Sequence, residues 1–197
     1  QEAAGVRTAH SISAAGGEVV SVSGKLAAMP KRSRYSWWLD MEPGASAESR
    51  GARWHLPGKT GIRVEATPEM DDLLDDWVAG DEVRAIGSFE PLPVGRMGAG
   101  GGHFLSRRGN VALLRAELVS AVEGDRSLCG HFLASARRAG NAAEALLLEA
   151  AGPREGALLA SMTLGRTYLL SERQVENFRR AGLYHIFAVS GIHTVLV

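Results

Sequence analysis

The residues best suited to chemistry in this chain are aromatic and basic, and they share one stretch. All four tryptophans, Trp37, Trp38, Trp54 and Trp77, precede residue 80. From Lys25 to Arg63 there are eight basic residues (Lys25, Lys31, Arg32, Arg34, Arg50, Arg53, Lys59 and Arg63) against Asp40, Glu42 and Glu48, a local excess of +5. Indole faces stack on bases, and guanidinium or ammonium groups pair with phosphates, so this composition fits contact with a single-stranded nucleic acid. The candidate contacts are Lys25, Arg34, Trp38, Arg53, Trp54, Lys59 and Arg63. A plainer account stands beside it: Trp37 and Trp77 fill a core, Trp54 next to Pro57-Gly58 pins a loop, and the charges are solvated strand faces. From Glu65 to Glu90 the balance reverses. Nine carboxylates (Glu65, Glu69, Asp71, Asp72, Asp75, Asp76, Asp81, Glu82 and Glu90) meet only Arg84, a local −8 that repels phosphates. The chain is polarised rather than basic, and its formal net charge is zero.

Other chemistries find little footing. Ser190 with His185 and His193 has the atoms of a hydrolase, but Ala188-Val189-Ser190-Gly191-Ile192 is not a nucleophile elbow, and no nearby carboxylate orients a histidine. His10, His55, His103, His131, His185 and His193 are scattered, and Cys129 is the only cysteine, so neither a metal site of usual spacing nor an intrachain disulfide is expected. Gly98 to Gly102 lacks the Lys-Ser/Thr of a phosphate-binding loop. No cofactor is called for, and the chain reads as a non-enzyme. Arg137-Arg138 and Arg179-Arg180 are basic pairs on helices, suited to a solvated face or to anionic headgroups.

The elements that must position these residues follow from periodicity. Gln1 to Gly17 reads as a linker. Val20, Val22 and Leu26 alternate with Ser21, Ser23 and Lys25 in a first half-buried strand, with a bend or bulge at Gly24. Tyr35, Trp37, Leu39 and Met41 form one face of a second strand, and Ser36, Trp38, Asp40 and Glu42 the other. Pro43 to Gly51 reads as a turn-rich loop and Gly61 to Thr67 as a third strand, with Ile62 and Val64 on one face. Met70 to Val78 fits a short helix through Leu73, Leu74 and Trp77. A fourth strand runs from Asp81 to Phe89, a loop from Leu92 to Gly102, and a last strand from Val111 to Val122 with Leu114, Ala116 and Leu118 alternating. Five strands with a helix between the third and fourth predict a small OB-like Greek-key barrel over 18–123; SH3-like barrels and open sandwiches share that pattern.

Beyond Gly124 the composition turns to alanine and leucine. Asp125 or Ser127 caps a helix to about Ala139 with Leu128, Phe132 and Ala136 on one face, and Gly140-Asn141 interrupts it. A second helix from Ala142 to Ala151 ends at Gly152-Pro153, and a third runs from Arg154 to Leu164, closed by Gly165. Ser171 and Gln174 form a capping box for a helix over 172–181, with Gly182 as its left-handed cap. Leu183 to Val197 is almost wholly apolar yet shorter than the ~20 residues a span needs. The fold class is mainly β then α: a barrel followed by amphipathic and membrane-type helices over 124–197. Gln1 is not a methionine and the apolar run has no polar stop, so the natural protein is expected to extend in both directions.

The most specific stretch is Phe178-Arg179-Arg180-Ala181-Gly182-Leu183-Tyr184-His185-Ile186-Phe187-Ala188-Val189-Ser190-Gly191-Ile192-His193. It resembles the signature of the ComEC family of competence proteins, roughly F-R-x-A-G-L-x-H-L-L-A-[IV]-S-G-L-H. Ala157 to Gly165 resembles the family segment ending L-x-L-G, although Arg166-Thr167-Tyr168-Leu169-Leu170 stands where the family usually has D-R-S-x-L. Gly80 to Gly87 and Gly101-Gly102-His103-Phe104 resemble pieces of its soluble domain, the latter in place of G-G-F-D.

The resemblance implies an OB-like domain outside the cytoplasmic membrane, attached to the start of a multi-pass channel that takes up single-stranded DNA in transformation. It implies as partners single-stranded DNA, the lipid bilayer, other competence-machinery proteins and further copies of itself. A nuclease-like domain would lie outside this stretch. Gly182, His185, Ser190, Gly191 and His193 are the motif residues, expected to pack helices or line a conduit. The rival expectation is a structural or protein-interaction module with no DNA contact.

Overall fold

A computed structural model of the chain describes residues 17–90, 110–122, 124 and 126–184. Eight strands form one sheet: β1 (Val19–Lys25), β2 (Lys31–Arg32), β3 (Ser36–Met41), β4 (Ser46–Ser49), β5 (Ala52–His55), β6 (Lys59–Glu65), β7 (Glu82–Glu90) and β8 (Asn110–Ala121). The helices are α1 (Pro68–Leu74), α2 (Leu128–Thr163) and α3 (Glu172–Arg180). Two compact units divide the chain, one of 1–31 and 35–133, the other of 32–34 and 134–197.

The first unit is a barrel because its alternating apolar residues have one inside to share. The sheet order is β2-β3-β6-β8-β7-β1-β4-β5, with β6 and β8 parallel and β1–β4, β1–β7, β3–β6, β4–β5 and β7–β8 antiparallel. The far end of β1 returns to β3: Leu26 bridges Met41, the Ala27 amide donates to the Asp40 carbonyl (2.7 Å), and the Glu42 amide to the Lys25 carbonyl (2.8 Å). The circuit β1-β3-β6-β8-β7-β1 is the five-stranded closure of an OB barrel, with α1 between its third and fourth strands. Val20, Val22, Leu26, Leu39, Met41, Ile62, Leu74 and Leu114 are fully buried inside it. Thr67 caps α1, accepting from the Met70 amide, and Pro68 stands in its first turn.

Three sequence expectations are corrected here. Pro43 to Gly51 is not simply a loop, since β4 and β5 form a hairpin on the free edge of β1. Its turn is Arg50-Gly51, both at positive φ (47° and 78°), the mirror-image turn that matches strand twist, and Ala45 and Ala47 point inward. Short alanine and serine side chains gave this hairpin little hydrophobic contrast. Tyr35 precedes β3 and is 70% exposed. Leu118 is also exposed, and Val119 takes its inward place. The cause is a bulge: Gly87 pairs with Ala116 and Ile86 with Leu118, leaving Glu117 as the extra residue that inverts the alternation.

That bulge depends on a close approach. A Cβ placed on Gly87 would lie 2.0 Å from the Arg115 carbonyl oxygen and 2.7 Å from the Ala116 Cα. Backbone cannot yield there without breaking the β7–β8 ladder.

The chain leaves the barrel under a second constraint. Arg126 holds Asp81 with two parallel bonds (Nε to Oδ1 2.9 Å, a terminal nitrogen to Oδ2 2.8 Å) and also reaches the Asp76 carboxylate (3.2 Å) and carbonyl (2.8 Å). Asp81 additionally accepts from the Val78 amide (3.0 Å). Burial pulls the Arg126 pKa down, while Asp81 and then Asp76 push it further up, for a net rise.

In the second unit α2 is two helices joined at Gly152 (φ 82°), followed by Pro153. The helix runs straight through Gly140-Asn141, so the predicted interruption there is absent. Leu128 and Phe132, expected on a packed face, are 90% and 73% exposed; the adjacent stripe with Ala134 and Arg137 is the buried one. Beyond the kink the chain turns back, and Gly156 meets the backbone of Leu147 and Leu148. Arg166 then reaches Asn141 (2.5 Å) and Glu144 (3.1 Å), and Tyr168 donates to Glu144 (3.0 Å). Ser171 and Gln174 make the expected capping box, and Gly182 has φ 70° beyond α3. Among the described residues no helix is long and apolar enough to cross a membrane; the apolar run beyond Tyr184 lies outside them.

Two substitutions test the barrel constraints. Gly87→Ala is expected to cost about 3 kcal/mol, at the upper end of overpacking penalties, and to lower the urea midpoint. An unchanged midpoint would show that the bulge relaxes freely. Arg126→Ala leaves the largely buried Asp81 carboxylate without its cation, with an expected loss of about 2 kcal/mol in the same assay. Wild-type stability in this variant would mean that the clamp makes no net contribution.

Candidate nucleic-acid interface

The outer face of the barrel is set by the same alternation that fills its core. Trp37 and Leu39 point in, so Ser36, Trp38 and Asp40 point out. On β6 the outward residue opposite Trp38 is Arg63. Parallel pairing then sets Arg63 beside Arg115 of β8, and Arg115 stands opposite Ser88 of β7. One rung across four strands therefore reads Trp38, Arg63, Arg115, Ser88. The Arg63 guanidinium carbon lies 6.0 Å from the Trp38 ring centroid, and a terminal nitrogen reaches Glu90 at 2.8 Å. Trp38 is half-buried, which leaves part of the indole on the surface. Arg115 is exposed and forms no ion pair among the described residues.

The remaining candidates do not join this rung. Lys25 is exposed at the end of β1, opposite Glu82, and Lys59 is exposed at the start of β6, opposite Asn110. Arg53 projects from β5 and gives both Nε (3.3 Å) and a terminal nitrogen (2.8 Å) to one oxygen of Glu48. Trp54 packs against the core, and its buried indole N–H has no acceptor among the described residues. Arg34 belongs to the second unit, where it donates to the Leu170 carbonyl (2.6 Å) and pairs with Glu172 (3.0 Å). Of the seven, Trp38 and Arg63 meet directly. Gly182 is the α3 cap, and His185, Ser190, Gly191 and His193 lie outside the described residues.

Arg115 escaped sequence reasoning because it lies 52 positions beyond Arg63 and only the β6–β8 register brings the two together. The acidic stretch also has a different meaning in three dimensions. Asp71 accepts from the Trp37 indole (2.6 Å), Asp76 and Asp81 hold Arg126, and Glu90 holds Arg63. At least four of the nine carboxylates thus have cationic or polar partners within the barrel, which reduces the repulsive field that a linear charge count assigns to them.

The family model described as "Competence protein" matches residues 162–197. No curated protein matches the chain. Among solved structures, the small single-stranded DNA-binding protein from Streptomyces coelicolor aligns at 12% identity and a TM-score of 0.36, over 54% of this chain and 95% of that one. The single-stranded DNA binding protein from Thermus aquaticus aligns at 18% identity, with TM-scores of 0.37 for a deletion mutant and 0.35 for the wild type. Each of these covers 54% of this chain, and the chain spans half of their length. The OB assignment stands on strand order and closure, not on these likenesses. C-terminal to that barrel, from Met162 to Val197, the chain is similar in sequence to the competence-protein family, the stretch that holds the ComEC-like motif residues.

Proposed function

We propose that this chain is a non-catalytic part of a DNA-uptake channel whose barrel contacts the incoming single strand. The observation that carries the reading is the outward rung Trp38, Arg63, Arg115. It joins a partly exposed indole to two guanidiniums, the pairing of stacking platform and phosphate partner that sequence-tolerant single-strand binders use. Glu90 steadies Arg63 from one side, and a partly exposed surface pair of this kind is worth about 1 kcal/mol, little enough to exchange for a phosphate. The competence match supports uptake as the setting, with the helical part as the beginning of a conduit in the cytoplasmic membrane and the barrel on its outer side. Other competence-machinery proteins and further copies of the chain are the partners that this setting supplies.

A structural role for the barrel is the competing reading. It is favoured by one observation: Arg34, Arg53 and Arg63 each already hold a carboxylate. Anisotropy of fluorescein-labelled oligo(dT), titrated at several salt concentrations, separates the two. Binding at low salt is expected, with log affinity falling linearly in log salt. Trp38→Ala should weaken it about tenfold, the weight of one stacked base, and Arg115→Gln should flatten the slope by about 0.7. Absence of binding at low salt, or binding indifferent to salt, gives the structural reading.

A further inference from the structure

We infer that a serine-floored groove beside β1 holds the sugar–phosphate backbone of the same single strand, so that the barrel grips it at two places. This rests on the reading of the barrel as a single-strand binder and adds a second site to it. Outward residues of β1 are Val19, Ser21 and Ser23. They are flanked by Ile86 and Arg84 on β7 and by Glu48 and Ser46 on β4. Arg50 and Arg53 of the β4–β5 hairpin complete the wall of a groove of about 490 Å³.

The residue types are unusual for their place. Outward strand positions favour β-branched and aromatic side chains, which pack across the pleat. Here Ser21, Ser23 and Ser46 cluster on neighbouring strands. Their small side chains leave the groove open, and their hydroxyls line it with donors that a phosphate oxygen accepts. Arg84 leans over this floor, its Nε 3.3 Å from the Ser23 hydroxyl, and it forms no ion pair among the described residues. Arg53 faces the groove with Glu48 bound to it, and Arg50 is held by Glu18. Within the lining, three guanidiniums meet the single carboxylate of Glu48. A donor-rich, apolar-poor groove with that balance selects an extended anion over a neutral or apolar ligand.

The groove continues the Trp38 rung. Ser88, which ends that rung, stands opposite Val19, and along β7 the outward residues run Ser88, Ile86, Arg84. From β3 to β1 through β6, β8 and β7 is four strand steps, about 19 Å around the barrel surface. A strand of several nucleotides reaches both, within the 4–16 nucleotides that one OB fold covers.

The test uses the whole chain and fluorescein-labelled oligo(dT) at several salt concentrations. Arg84→Gln is expected to weaken binding about fivefold and to flatten the salt slope by about 0.7. Glu48→Gln should act in the opposite direction, tightening binding about threefold, because it removes the groove's one carboxylate and frees Arg53. Circular dichroism melts of both variants should match wild type. If Trp38→Ala weakens binding while Arg84→Gln and Glu48→Gln change neither affinity nor slope, the groove is not a strand site and the single-strand reading survives. If the wild-type chain fails to bind at low salt, that reading falls and the groove proposal with it.

Discussion

The outer face of the barrel depends on one contact that no side chain other than hydrogen can occupy. Where β7 passes β8 at Gly87, the Arg115 carbonyl sits inside the space of a Cβ. The strands approach this closely because β8 carries an extra residue at Glu117, and that residue decides which β8 side chains face out. Upstream of it Arg115 falls into register with Arg63 and Ser88; downstream Leu118 is outward and Val119 inward. Remove the bulge and the alternation runs on unbroken, which would turn Leu114 and Val119 to opposite faces of the strand. Core and interface are therefore two results of one irregularity.

The sequence was most informative where a period of two coincided with large apolar residues. β1, β3 and β6 emerged with their faces correct, Trp37 inside and Trp38 outside, because burial and alternation agree there. Caps were equally plain, since the Ser171-Gln174 box is local chemistry. What stayed hidden was non-local or weak in contrast. The β4–β5 hairpin turns only Ala47, Ser49 and the partly buried Trp54 toward the core, and it pairs with the edge of β1. Gly140-Asn141 has the form of a break, yet Arg166, 25 residues on, reaches Asn141 and holds that turn in the helix. Leu128 and Phe132 show helical spacing, which marks a face without saying that this face is covered.

The candidate site divides along the same line. Trp38 with Arg63 is a cross-strand pair that alternation alone makes plausible. Arg115 and Arg84 require the full strand order, because charge windows along the chain place them in separate neighbourhoods. Arg34 carries the opposite lesson. It lies in the basic stretch, but its guanidinium is engaged by the Leu170 carbonyl and Glu172 in the second unit. Proximity in sequence gave it a membership that tertiary structure denies.

Arg126 has a mechanical meaning as well as an electrostatic one. It stands just before α2, and its four bonds go to Asp76 and Asp81, on either side of the turn that feeds β7. Tension arriving along the chain from the helical side meets this knot before it meets the end of β8. The load passes into the α1–β7 connection, as at a belayed rope, instead of unzipping β8 one hydrogen bond at a time. A barrel tethered in this way has its ladder, and the rung laid across it, one fastening removed from a pull on the polypeptide beyond.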